Sequence, residues 1–226
     1  MISKFTNPKF PFVSQTGIWE ELRTDRFNTP QGKSPALFLD RDGVIVKEVN
    51  YLQDPDDVEL IEGAAETILK ANETNIPVIM VTNQAGIAYG YFGWAEFDAV
   101  QNQLHKELEE RDARIDVILA CPFHQKGDTL WGGYPDHEAR KPHPGMLLRA
   151  VKMIDIDLAQ SWIIGDRASD LEAGQNAGIA GGQHVLTGHG SRKGERDLAN
   201  ALITPSFSVR EAVSIQDART LPIFEA

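Results

Sequence analysis

The chain has 226 residues, 42% apolar and 24% charged, a make-up that excludes intrinsic disorder and suffices for one sizeable core. A formal net charge of −11 without any basic stripe excludes a nucleic-acid surface, and any site for an anionic ligand must then carry its own cluster of Arg and Lys. Single Cys121 excludes an intrachain disulfide, and with no membrane-length apolar run and no secretory leader the expected location is cytoplasmic, off the membrane.

Residues 1–34 scatter Phe5, Phe10, Phe12, Trp19 and Phe27 among Pro, Thr, Gln and Gly without a sustained period. They read as an N-terminal arm, packed on the body through its rings. From Ala36 onward the pattern changes. Ala36–Asp40, Pro77–Thr82, Ile115–Cys121, Ser161–Asp166 and Ala180–Leu186 are short apolar runs, several nearly continuous, as buried parallel strands are. Between them Gly63–Asn75, Trp94–Asp112, Pro144–Ile154 and Ser169–Ala177 have helical length and spacing. In the second of these, Phe97, Val100, Gln101, Leu104 and Leu108 form one face and Glu107, Glu109, Glu110 and Arg111 the solvated one. Residues 122–143 lack a period and hold Gly127, Gly132, Gly133, Pro135 and three histidines, which reads as a substrate-side loop. The alternation predicts one three-layer, doubly wound (Rossmann-like) α/β domain over residues 35–226, with a parallel sheet.

In such a sheet ligands bind beyond the carboxyl ends of the strands. The first run ends in Asp40-Arg41-Asp42-Gly43, two carboxylates two residues apart that can share one side of an extended tip. The pair suits metal-assisted phosphoryl transfer, with one acid attacking and the other moving a proton; four residues alone fit an Asp-rich turn equally well. The second run ends in Thr82-Asn83-Gln84-Ala85-Gly86, rich in phosphate-binding donors. Arg140-Lys141-Pro142 follows the long loop, and the fourth run ends in Gly165-Asp166-Arg167 with Asp170 one turn on. Each group alone could be a cap or solvated loop charge. Together, in this order, they complete one site and supply the cation cluster that the net charge demands.

Asp40-Arg41-Asp42-Gly43-Val44, Val81-Thr82-Asn83-Gln84-Ala85-Gly86-Ile87, Arg140-Lys141-Pro142 and Ile164-Gly165-Asp166-Arg167 with Asp170 resemble the four motifs of the haloacid dehalogenase superfamily of phosphatases. Asn50-Tyr51-Leu52, Glu59–Ala65 and Arg140–Leu147 resemble its heptose-bisphosphate and histidinol-phosphate branch, over about residues 36–188. The resemblance implies a haloacid dehalogenase-like fold with its first strand central and no large cap domain. It implies Asp40 as the nucleophile that becomes an aspartyl-phosphate and Asp42 as the proton shuttle. Mg²⁺ would be held by Asp40, Asp166 and the backbone carbonyl of Asp42. Thr82 and Lys141 would hold the transferring phosphoryl group. Arg41, Asn83, Gln84, Tyr89 and Arg140 are then expected on the substrate, with Asp170 and Arg167 supporting. The implied substrate is D-glycero-D-manno-heptose 1,7-bisphosphate or a related sugar phosphate, with histidinol-phosphate as the alternative.

Two departures stand out. Many members of the branch carry a cysteine-rich zinc loop, but here Phe123 falls where its histidine would, and His137 and Ala139 take the later cysteine positions. Cys121, His124 and His137 are the candidate ligands left, with a carboxylate such as Asp136 for a fourth, and no zinc is expected. A half-buried Cys121 and surface histidines, in a loop held by Phe123, Trp131 and Tyr134, are expected instead. Tyr89 stands where relatives frequently have arginine, which removes a possible anchor for a second phosphate or a sugar hydroxyl. A receiver-type phosphoacceptor module and a non-catalytic phosphate-binding protein are the other function classes. The Asp-x-Asp pair on one strand, ahead of a basic motif and later acids, favours the enzyme, with a small phosphorylated molecule as partner and a monomer as the expected state.

Overall fold

The computed structural model describes residues 4–5, 9–24 and 32–225; Phe27 and parts of the expected arm lie outside them. A seven-stranded sheet is built from β1 (Trp19–Leu22), β2 (Leu37–Leu39), β3 (Val78–Asn83), β4 (Val117–Cys121), β5 (Trp162–Gly165), β6 (Gly181–Val185) and β7 (Ser208–Ala212), in the order β1-β4-β3-β2-β5-β6-β7. The helices are α1 (Ala64–Glu73), α2 (Ala85–Tyr89), α3 (Trp94–Glu109), α4 (Gly145–Met153), α5 (Ala168–Ala177) and α6 (Glu195–Asn200). Every pairing is parallel except β1 with β4. The strand that ends in Asp40 is the middle one, as expected. Among the described residues no connection builds a separate cap domain, and no helix is long and apolar enough to cross a membrane.

Burial alternates along the central strand and defines the three layers. Leu37 and Leu39 face one core, shared with Ile68 of α1 and with Phe97, Val100, Leu104 and Leu108 of α3. Phe38 faces the other, shared with Met146, Leu147 and Ala150 of α4 and Leu171 of α5. A strand wetted on neither face has no polar alternation, which is why these runs read as continuous in sequence. Burying a Leu or Phe side chain contributes about 1.5–3 kcal/mol. The strand ends are therefore fixed by both cores.

Four elements went unread in the sequence, the five-residue helix α2 among them. β1 lies inside the expected arm, and its antiparallel register sets Trp19 opposite Ala120 and Leu22 opposite Val117. Residues 19–22 therefore belong to the sheet, correcting the arm boundary. Four residues with two glutamates carry no strand signal of their own; pairing to β4 and the packing of Trp19 on Trp94 and Phe97 hold them. At the opposite edge α6 and β7 are short and half-wet, so neither shows a clear period.

Candidate active site

Asp40 continues β2 by one residue, its amide bonded to the Ile164 carbonyl at 3.1 Å. The chain then turns at Gly43, whose φ of +82° suits glycine. A Cβ there would also collide with Asp166 Oδ2, as would one at Gly188. Two backbones thus close on one carboxylate oxygen and on each other. Thr187 Oγ1 donates to the Gly43 carbonyl across the same gap.

Lys141 is buried, and its ammonium donates to three acceptors: Asp170 Oδ1 at 2.7 Å, the Val81 carbonyl at 2.8 Å and Asp40 Oδ1 at 2.9 Å. Burial pulls its pKa down, but the carboxylates of Asp170 and Asp40 outweigh that and hold it above the ordinary lysine range. Asn83 clamps the Lys141 backbone from both directions, Nδ2 donating to its carbonyl and Oδ1 accepting from its N–H, each at 3.1 Å. Asp166 accepts from the His189 N–H at 2.6 Å, and its other oxygen is buried without a partner. Carboxylate oxygens of Asp40, Asp166 and Asp170 lie within 4.8 Å of one another.

Asp42 is half-buried and held apart from that cluster. Arg41 forks onto it, with Nε to Oδ1 at 3.1 Å and Nη2 to Oδ2 at 3.0 Å, and Gln84 Nε2 donates to Oδ2 at 3.0 Å. The same Gln84 nitrogen lies 2.7 Å from Thr82 Oγ1. Arg41 itself is only 1% exposed and sits over the Phe97 ring. Arg41, Asn83 and Gln84, expected on the substrate, line the same cavity. Their polar groups also bond to Asp42, Lys141 and Thr82, while Arg41 Nη1 is buried without a partner.

Arg140, Tyr89 and Arg167 line the cavity too, with Asp40, Asp42, Thr82, Lys141, Asp166 and Asp170. Arg140 Nη1 donates to the Phe123 carbonyl at 3.1 Å. Sequence reasoning missed Glu48, Tyr51, His189 and Arg192, which also line it. His189 was findable, because Leu186-Thr187-Gly188-His189 is the tip of the sixth strand and tips were the places to search. Tyr51 stood within the Asn50-Tyr51-Leu52 motif but was given no role there.

Residues 122–143 are held by rings. Phe123 stacks on His137 at 3.8 Å and 10°, and meets Tyr134 at 4.6 Å, Trp131 at 5.5 Å and Phe5 of the arm at 5.5 Å. His124 turns instead to the Tyr89 hydroxyl. Cys121 is fully buried rather than half-buried, and burial pushes its thiol up to about 12. Cys121, His124 and His137 do not converge as one ligand group among the described residues.

A family model described as HAD-hydrolase-like matches residues 138–212. Over 198 residues the chain is 40% identical to a D-glycero-beta-D-manno-heptose-1,7-bisphosphate 7-phosphatase of Mesorhizobium japonicum, covering 88% of this chain and 84% of that one. The chain belongs to the haloacid dehalogenase-like phosphatases. A HAD-like phosphatase from Mesorhizobium loti superposes with a TM-score of 0.78 at 36% identity, covering 92% of this chain and 91% of that one. The D,D-heptose 1,7-bisphosphate phosphatase of B. bronchiseptica, complexed with magnesium and phosphate, gives 0.70 at 28% identity, covering 85% and 99%.

The donor set of this phosphatase fits a hard divalent cation. Burial, and then the neighbouring Asp170 and Asp40, push the Asp166 carboxyl up to about 8. Burial also raises Asp40, to about 7, although Lys141 opposes it. Buried carboxylates facing one ammonium leave negative charge uncompensated, and an oxygen-ligated cation at the unpartnered Asp166 oxygen would remove both defects.

Proposed function

We propose that the protein hydrolyses a phosphomonoester with Mg²⁺, through a phosphorylated Asp40, and that its substrate is D-glycero-D-manno-heptose 1,7-bisphosphate, cleaved at the 7-phosphate. One observation carries the mechanism: of two carboxylates two residues apart, Asp40 is engaged by Lys141 while Asp42 is held separately by Arg41 and Gln84. A pair so divided has one nucleophile and one proton carrier.

An Asp40 oxygen attacks phosphorus as the ester oxygen leaves, and Asp42 gives that oxygen its proton. Asp42 then takes a proton from water, which displaces Asp40 and releases phosphate. Lys141 and Thr82 bind the equatorial oxygens in both halves, and Gln84 keeps Thr82 and Asp42 in mutual register. Asp40, Asp166 and the Asp42 carbonyl would hold Mg²⁺, which when bound neutralises charge between nucleophile and phosphoryl group. Asp170 acts on Lys141, fixing its ammonium.

The substrate reading rests on the relatives and on a cavity of about 380 Å³, open at its mouth and bordered by His124 and Arg140 of the long loop. That size suits a sugar phosphate. The single buried Cys121 and the net charge of −11 support a cytoplasmic setting without nucleic-acid partners. Phosphate release with Mg²⁺ over heptose 1,7-bisphosphate, histidinol-phosphate, nucleotides and an aryl phosphate tests the proposal. Heptose bisphosphate should lead in kcat/KM; parity with the aryl phosphate would sink the substrate and leave the mechanism standing.

A further inference from the structure

The arm ahead of β1 lies outside the four phosphatase motifs, yet it reaches the substrate-side loop. No helix or strand lies between Cys121 and Gly145 among the described residues, so residues 122–143 take their order from other parts of the chain. The Phe5 ring stacks on Trp131, with centroids 5.0 Å apart and planes inclined by 22°, and meets Phe123 edge-on at 5.5 Å. Lys4 Nζ lies over the Phe5 ring at 4.9 Å and donates to the Tyr134 hydroxyl at 3.2 Å. The arm meets the same rings again at Gly17, where a Cβ would fall 2.6 Å from Trp131, 2.9 Å from Phe5 and 3.0 Å from Phe123.

A single residue separates the Phe5 ring from each of two groups that line the cavity. The Phe123 carbonyl accepts from Arg140 Nη1 at 3.1 Å, and the Trp131 carbonyl accepts from the His124 N–H at 3.2 Å. Arg140 and His124 line the cavity; Phe5, Phe123 and Trp131 do not. A second tie runs through α4. Arg149 Nη1 donates to Glu20 Oε1 of β1 at 2.6 Å, and its Nη2 to Glu138 Oε1 at 3.1 Å, two residues before Arg140. The Arg149 and Glu20 side chains are 16% and 24% exposed against 74% for Glu138, so the tie to the strand is the less screened of the two.

We propose that Phe5 and Glu20 are positioning residues for substrate recognition, holding Arg140 and His124 at the cavity through residues 122–143 without touching substrate themselves. Without the Phe5 ring the loop samples more conformations, and only a fraction of molecules present Arg140 correctly; apparent affinity falls by that fraction. Lys141 is spared, because Asp40, Asp170, the Val81 carbonyl and the Asn83 clamp set its position. The arm therefore acts on KM and leaves the chemical step alone. Its bearing on a sugar phosphate rests on the reading proposed above.

Phe5→Ala, Phe5→Tyr and Glu20→Gln test it, with initial rates in Mg²⁺ on heptose 1,7-bisphosphate and on acetyl phosphate, which has no sugar body. Phe5→Ala should raise KM for the heptose about three- to tenfold, the worth of an aromatic contact, with kcat within about twofold. Rates on acetyl phosphate should stay at wild-type values, and Phe5→Tyr, which keeps the ring, should restore KM. Glu20→Gln should show the same split at about twofold, and it decides the matter if Phe5→Ala does not fold. Equal losses on both substrates, or a fall in kcat larger than the rise in KM, would overturn the assignment. Trypsin cleavage after exposed Lys126, followed by mass spectrometry, reads the loop without substrate and should run several-fold faster in Phe5→Ala; an unchanged rate would also overturn it. Should the wild type leave every sugar phosphate untouched, the substrate reading falls and the cleavage rate alone judges the role of the arm.

Discussion

The floor of the cavity and its rim are built by opposite means. On the floor, Asp40, Thr82 and Asp166 at strand tips, Lys141 just before α4 and Asp170 in the first turn of α5 are buried polar groups, bonded to one another, to Gln84 or to backbone. At the rim, residues 122–143 are held by Phe123, Trp131, Tyr134, His137 and Phe5 of the arm, rings that share no ion pair. Directional bonds suit groups that must meet phosphorus to within a fraction of an ångström. Ring packing sets position more loosely, and it can be rebuilt for another substrate without moving the floor. Chemistry and specificity thus rest on different forces.

That division can be broken first at the floor. Asp40→Asn should keep the fold and lower kcat by about 10⁴-fold or more, read by single-turnover phosphate release. Asp42→Asn should lower kcat by roughly 10²–10⁴-fold, and less for an activated aryl phosphate, whose leaving group needs no proton. At the rim, Phe123→Ala should cost about 3–5 kcal/mol in urea unfolding, as a buried phenylalanine does. Because losing the ring also frees the backbone to shift, and the residue-123 carbonyl on it holds Arg140, KM for a sugar phosphate should rise more than kcat falls. A dominant kcat loss there would mean that floor and rim are not separable.

The smallest effect is expected far from both regions, at Asp116. It is buried, accepts from the Val78 N–H at 2.9 Å and faces Arg114 at 3.6 Å. Burial outweighs these contacts and pushes its carboxyl from 3.8 up to about 6. Between those values the folded chain holds a proton that the unfolded chain releases, so this group's share of stability is lost as pH rises from about 4 to about 6. Asp116→Asn should flatten Tm against pH across that window, with Mg²⁺ present throughout. An unchanged slope would refute the assignment.

Much of the sheet was readable because buried parallel strands leave uninterrupted apolar runs, and the tip rule then led to Asp40, Thr82, Lys141 and Asp166. β1 was not, since Trp19–Leu22 is a strand only because β4 offers it an edge. Arg41, Asn83 and Gln84 were placed at the cavity they line, but their bonded partners were not readable, because a polar side chain's partner depends on distances between tips rather than along the chain. Gln84 meets Asp42 across 42 positions, and Asn83 meets Lys141 across 58.

By itself, then, the sequence determined the α/β layering, the order of the strand tips and the residue types at them, since these follow from local periodicity and chain order. Tertiary structure alone decided which carboxylates pair with Lys141, which oxygen of Asp166 is left unpartnered, and that Tyr51, Tyr89 and Tyr91 meet ring to ring. These are contacts between residues far apart in the chain, selected by how two cores close on one sheet, and short-range sequence pattern carries no record of them.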